Sequence, residues 1–251
     1  MLLESIALAA GLSGAAGTCQ VKSPAHTVAL VELYTSQGCS SCPPADRWLS
    51  TFNARVDNER AVPLALHVGY WDYIGWKDPF ARREFNDRQR FLADLNRNRT
   101  VYTPGVFVHG RETPRWSDRA GLDTALRTIN AKPAAASIEL AAAPADAGRV
   151  DVEARASVGP GHKAQDVRLF VALTQNGIVT NVKAGENRGE TLANDHVTRD
   201  WSGALPLAAG RISLAAADAK RESLALVAFV QNQSTGDVLQ AVRLPLAACG
   251  R

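Results

Sequence analysis

A buried-looking strand that breaks into a turn, two cysteines and then two prolines leaves a chain few ways to continue. Val28 to Tyr34 is apolar except for Glu32, and Ser36 to Gly38 are turn residues. Pro43 and Pro44 are comfortable only in a first helical turn, where no amide hydrogen is needed, so a helix is predicted to begin at Pro43. Cys39 and Cys42 fall between strand and helix, with Cys39 in the turn just ahead of the helix start.

Two sulfurs at this C-x-x-C spacing can close a small disulfide. The helix start offers unpaired amide hydrogens and a positive dipole end, both of which favour thiolate over thiol. Cys39 is therefore the expected nucleophile, ionised and reachable, and Cys42 the residue that resolves a mixed disulfide. A zinc half-site needs a second ligand pair at compatible spacing, which is lacking: only Cys19 and Cys249 remain, at opposite ends. A structural disulfide clipping the turn is the plainer alternative.

After the cysteines, Ala45, Trp48, Leu49, Phe52 and Val56 form a helical stripe, with Asp46, Arg47, Ser50 and Asn53 off it. Ala61 to Val68 is predicted as a buried strand. Asp78 to Arg97 is predicted as a helix with Phe80, Phe85, Phe91, Leu92 and Leu95 inside and its arginines outside. Thr103-Pro104 then opens a strand reaching Val108, and Ser117 to Asn130 is predicted helical. This order resembles the thioredoxin fold. The resemblance implies a cis peptide at Pro104 packed beside the dithiol, with the backbone of Thr103 facing an extended substrate; an ordinary trans proline on an edge strand is the alternative. Glu32, costly in an apolar strand unless paired, is the candidate proton shuttle for Cys42, although it stands one residue farther from the first cysteine than the acid of thioredoxins.

Three stretches are also similar to a family of predicted secreted bacterial proteins, classed as a domain of unknown function with a thioredoxin-like fold. They run from Val31 to Asp46, from His67 to Phe80 and from Val101 to Pro104. Gly185 to Gly189 with Asp195, His196 and Val197 resembles that family's signature in its second half. The family implies a fold and not a reaction.

Tyr70 to Phe80 is a long connection rich in Trp and Tyr, the composition of a binding loop or of a self-packed one. Tyr70, Trp71, Tyr73 and Trp76 are candidate walls of a peptide groove beside Cys39, with Asp72 and Lys77 as polar anchors. His67, at a strand end, either reaches the dithiol or caps the strand.

A composition break at Ala131 to Ala136 sets the expected boundary: a terminal arm or export-signal-like segment over 1–20, a thioredoxin-like α/β domain over 21–132 and an all-β, antiparallel sandwich-like domain over 133–251. In the last, strands are predicted over 137–141, 150–158, 167–174, 178–182, 196–201, 211–215, 224–231 and 238–244, with Asn176-Gly177 as a hairpin turn between two of them. Gly185 to Asn194 is predicted as a loop whose Glu186, Asn187 and Arg188, with His196, either lean toward the cysteines or orient the halves. Asp195, His196 and Arg199 lack an accompanying nucleophilic serine motif.

A net charge of +3 in 251 residues, with Glu84, Asp87 and Asp94 interleaved among the arginines of 82–99, implies neither nucleic acid nor an anionic membrane as partner. Met1 to Thr18 is small and apolar, as in an export signal, but Glu4 interrupts it and no basic residue precedes. It is too short and broken for a stable membrane span. A Cys19–Cys249 bridge would imply an oxidising compartment, so a periplasmic or secreted location is expected. The leading expectation is a thiol-disulfide oxidoreductase acting on protein or peptide thiols without an organic cofactor. The alternatives are a Cu(I) carrier, with His67 joining Cys39 and Cys42 as ligands, and a non-catalytic thioredoxin-like adaptor.

Overall fold

The computed structural model describes residues 19–55, 58–143, 148–216 and 219–249. The export-signal-like stretch up to Thr18 and the stripe position Val56 lie outside them. In chain order the elements are β1 (Cys19–Lys22), β2 (Ala29–Thr35), α1 (Pro43–Ser50), α2 (Phe52–Arg55), β3 (Ala61–His67), α3 (Arg83–Leu95), β4 (Gly105–Val108), β5 (Arg111–Glu112), α4 (Arg119–Asn130), β6 (Ala136–Ala143), β7 (Arg149–Val158), β8 (Val167–Gln175), β9 (Ile178–Asn181), β10 (Thr191–Asn194), β11 (Val197–Trp201), β12 (Ala208–Ala215), β13 (Leu224–Asn232) and β14 (Val238–Pro245).

This is a mixed α/β architecture dominated by strands. An eight-stranded sheet runs β14-β13-β8-β11-β3-β2-β4-β5, a four-stranded sheet runs β1-β6-β7-β12, and β9 and β10 form a separate pair. β2 and β3 are parallel, while β4 lies antiparallel on the other side of β2. The large sheet crosses the composition break, because β11 pairs in parallel with β3 through Val197 and Ala65. Strands from both sides of residue 132 thus share one sheet.

Alternation along β2 explains how both faces are covered. Val28, Leu30 and Tyr34 point to the α3 face, where Phe85 and Leu92 pack with Phe107, Phe170 and Phe229. Ala29, Val31 and Leu33 point to the other face, under Ala45 and Leu49 of α1 and Leu126 of α4. Farther along that face, the small sheet covers β8, β13 and β14: Ile138, Leu140 and Val152 meet Leu169, Val171 and Leu226.

Three sequence expectations change. α3 begins at Arg83 and not at Asp78, because the Asp78 carboxylate is engaged with the amides of Gln37 and Phe80 and with His67. Arg88 does not face outward with its neighbours: it is buried, donating to Glu32 and Gln231, over the rings of Phe170 and Phe229 at 5.0 and 4.9 Å. Asn176-Gly177 does not close a β8–β9 hairpin, since β8 pairs with β13 and β11 and β9 pairs with β10.

Cys19 and Cys249 are joined by a disulfide with Cα atoms 5.1 Å apart, fastening β1 to the turn after β14 across 230 residues of chain. Among the described residues no helix is long and apolar enough to cross a membrane.

Candidate functional site

Cys39 and Cys42 form a disulfide at the carboxyl end of β2, with Cα atoms 5.5 Å apart. The turn is built from its own backbone: the Cys39 amide donates to Ser36 O at 3.2 Å and the Cys42 amide to Cys39 O at 3.2 Å. Cys42 is the N-cap of α1, and Pro43 follows at the first helical position. The Thr103-Pro104 bond is cis. It brings Thr103 O to 3.9 Å from Cys39 Sγ, and Ser41 Oγ stands 3.3 Å from that sulfur. Gly105 follows directly, and a Cβ there would meet Gln89 Nε2 at 2.8 Å and Tyr102 O at 2.9 Å, so the loop closes only over a glycine.

The expectation that Cys39 is reachable is corrected. Cys39 is 1% exposed and Cys42 0%. The second half of the chain ties down the backbone of the cysteine turn. Asn187, itself buried, donates from Nδ2 to Gln37 O at 2.9 Å and to Cys39 O at 3.0 Å. Glu186 Oε2 accepts from the Ser40 amide at 2.8 Å. Residues 185–189 therefore form a strap over the cysteine turn, which the sequence left as one of two options for this segment. The rest of that segment is not a loop, because Thr191–Asn194 is β10, and Gln37 Nε2 donates to Thr180 Oγ1 and Asn194 Oδ1 at 3.0 and 3.3 Å. Arg188 is exposed. Asp195 accepts from the Gly177 amide, Arg199 from its guanidinium donates to Gln175, and His196 is buried with neither ring nitrogen hydrogen-bonded, so these three form no acid-base group.

The aromatic loop closes another side. Trp71 Nε1 donates to Thr103 Oγ1 at 2.7 Å, and Trp71 packs so closely on Gly38 that a Cβ there would lie 3.3 Å from the Trp71 Cβ. Trp76 Nε1 donates to Gln37 Oε1 at 3.2 Å, and Tyr70 OH donates to Gln89 Oε1 at 3.1 Å. Asp72 accepts from the Asp78 amide at 3.2 Å, and burial raises its carboxyl. Trp71 and Trp76 thus brace the cysteine turn, whereas Tyr73 points to solvent.

Glu32 is not placed as a shuttle for Cys42. Its side chain is on the α3 face of β2, opposite α1, where its Oε1 accepts from Arg88 Nε at 2.7 Å and from Tyr34 OH at 3.2 Å. Strand parity decides this: Glu32 alternates with Val31 and Leu33, which face α1. The carboxylates on the dithiol side are Asp46 and Asp78, which the sequence reading did not single out. Asp46, expected off the apolar stripe, is buried in α1, its amide bonded to Cys42 O at 3.1 Å. Burial pushes its carboxyl up to about 6, against the opposing pull of His67. His67 Nδ1 is 2.7 Å from Asp78 Oδ2, and its Nε2 has no partner. Burial works against the charged forms of both, yet their mutual attraction outweighs it, raising His67 and lowering Asp78. The signal for Asp46 was its spacing, one turn beyond Cys42 and next to Ala45; for Asp78 it was the aromatic segment that contains it.

Among the described residues no group of three or more His, Cys, Asp or Glu side chains is placed to hold a metal ion.

Two solved structures share the fold. A crystal structure of an Agrobacterium tumefaciens protein, a structural genomics target, aligns over 90% of this chain and 97% of its own with TM-score 0.63 and 24% identity. HBP35 of Porphyromonas gingivalis aligns over 89% of this chain and 76% of its own with TM-score 0.64 and 12% identity. No curated protein matches. Residues 30–231 match the profile described as Protein of unknown function (DUF1223), and the chain belongs to that family.

Proposed function

We propose that this is a thiol-disulfide redox protein of the cell envelope, with a thioredoxin-like arrangement in its first half and the β-rich second half serving as scaffold. The observation that carries the proposal is the meeting of the Cys39–Cys42 disulfide at the start of α1 with the carbonyl of Thr103 ahead of cis Pro104. A disulfide that only clips a turn has no use for that partner loop. The second bridge, Cys19–Cys249, favours an oxidising compartment.

In the reaction, the Cys39 thiolate attacks one sulfur of a substrate disulfide; an S–S bond forms, the substrate's own S–S bond breaks, and a substrate thiolate leaves. The Cys42 thiolate then displaces the captured sulfur, closing Cys39–Cys42 as two electrons pass to the substrate. The opposite direction runs the same steps backwards. Because Cys39 is 1% exposed, residues packed around it have to move before either step.

Replacing Cys42 with Ser removes the resolving thiol. Mixed disulfides between Cys39 and exported proteins should then accumulate and disappear on adding reductant. A Cys42→Ser protein that captures nothing, in a strain where the folded protein is abundant, contradicts the proposal.

A further inference from the structure

Beside Cys39 the Ser41 hydroxyl, 3.3 Å from the sulfur, is a donor within reach, but backbone donors at the helix start are few. Pro43 and Pro44 have no amide hydrogen, the Cys42 amide is spent on Cys39 O, and the Ser40 amide is spent on Glu186. Thiolates beside helix starts are stabilised by such amides and by positive potential. Here the amide next to the sulfur-bearing residue is taken, and what takes it is a carboxylate, whose charge opposes a second negative charge nearby. The Thr103 carbonyl oxygen, 3.9 Å from the sulfur, has the same sign. Glu186 is exposed and stays ionised at neutral pH, since its bond to Ser40 lowers its carboxyl.

We propose that Glu186 is a positioning residue which, by occupying the Ser40 amide, biases the Cys39–Cys42 pair toward donating electrons. The inference rests on the redox role proposed above and supplies the direction that role leaves open. A dithiol whose thiolate has few donors beside it gains by closing to the disulfide, whereas a strongly oxidising pair owes its potential to a stabilised reduced form. The electron balance follows: the reduced pair gives two electrons to a substrate disulfide, two substrate thiols take up the protons, and a dithiol donor must reduce Cys39–Cys42 again by exchange.

The test is the redox equilibrium of the full chain with reduced and oxidised glutathione, together with the pH profile of Cys39 alkylation in the reduced protein. Wild type should favour the disulfide. Glu186→Ala should shift the equilibrium toward the dithiol by about fivefold and move the alkylation midpoint to lower pH. Glu186→Gln, which keeps an acceptor for Ser40 but loses the charge, should fall between. A merely structural role would change stability and leave both readouts in place. Equilibrium constants within twofold of wild type, with unmoved alkylation midpoints, overturn the role of Glu186 and leave the redox proposal standing. A wild-type pair that glutathione and stronger dithiols fail to reduce in the native protein overturns both.

Discussion

Arg88 Nε lies 2.7 Å from Glu32 Oε1, an ion pair held between β2 and α3 with both side chains almost wholly out of water. Glu32→Gln or Arg88→Met alone leaves the partner's charge buried and should cost about 3–5 kcal/mol in chemical denaturation. Changing both to apolar residues of similar volume should recover most of that loss, because desolvating the pair is itself expensive. A double variant no more stable than either single one would contradict this account.

Asp46 gives the fold a pH signature. Its carboxyl is pushed from 3.8 to about 6 by burial. Between those values the folded chain holds a proton that the unfolded chain has released, so stability falls as pH rises through this window and levels off above it. The shift corresponds to about 3 kcal/mol. Asp46→Asn should abolish that part of the decline, read from urea midpoints between pH 4 and 7.

His67 and Asp78 act at opposite ends of the pH range, Asp78 with the opposite sign to Asp46 and His67 with the same sign. The lowered Asp78 carboxyl adds stability above its ordinary range, lost as pH falls through its folded value; the raised His67 adds stability at low pH, lost as pH rises through its own. Asp78→Ala should also free the Gln37 amide that the carboxylate now accepts from at 2.8 Å. The expected result is destabilisation of about 3 kcal/mol with faster hydrogen exchange at Gln37, measured by mass spectrometry.

Asn187 anchors the strap through two hydrogen bonds to the cysteine turn. Asn187→Ala should speed reduction of Cys39–Cys42 by small dithiols about tenfold, the effect of losing roughly 1.4 kcal/mol of closure. The alkylation midpoint of Cys39 should stay in place, because no charge is removed. Stopped-flow reduction of the two proteins checks the rate.

The Cys19–Cys249 bridge closes a loop with sequence separation 230. Replacing both cysteines with Ser should cost about 2–5 kcal/mol, with β1 and the chain end losing exchange protection first. Loss of protection at β2 or β3 before β1 would contradict the placement of the bridge at the margin of the fold.

The strands of the second half were legible because alternation and turn residues mark each one locally: Arg149–Val158 and Leu224–Asn232 lie within a residue of their expected limits. The cysteine turn was legible for the same reason, whereas the cis peptide at Pro104 was implied by the resemblance of the element order to the thioredoxin fold. What escaped is long-range. Parity along β2 places Glu32 away from α1, but its partner Arg88 looked like one more solvated arginine until α3 was docked. β10 was missed because Thr191 to Asn194 is polar and alternates only weakly. The tie from Asn187 to the backbone of Cys39 spans 148 residues of sequence, and no local pattern reports such a contact.

Cys39–Cys42 should open and close reversibly in the folded protein. The most direct measurement is native-state reduction with a small dithiol, a pulse of alkylating reagent and mass spectrometry of the two cysteines. One rapidly modified thiol at Cys39 is predicted, a slower one at Cys42, and Cys19–Cys249 intact throughout. A pair that stays oxidised until the whole protein unfolds would contradict the account.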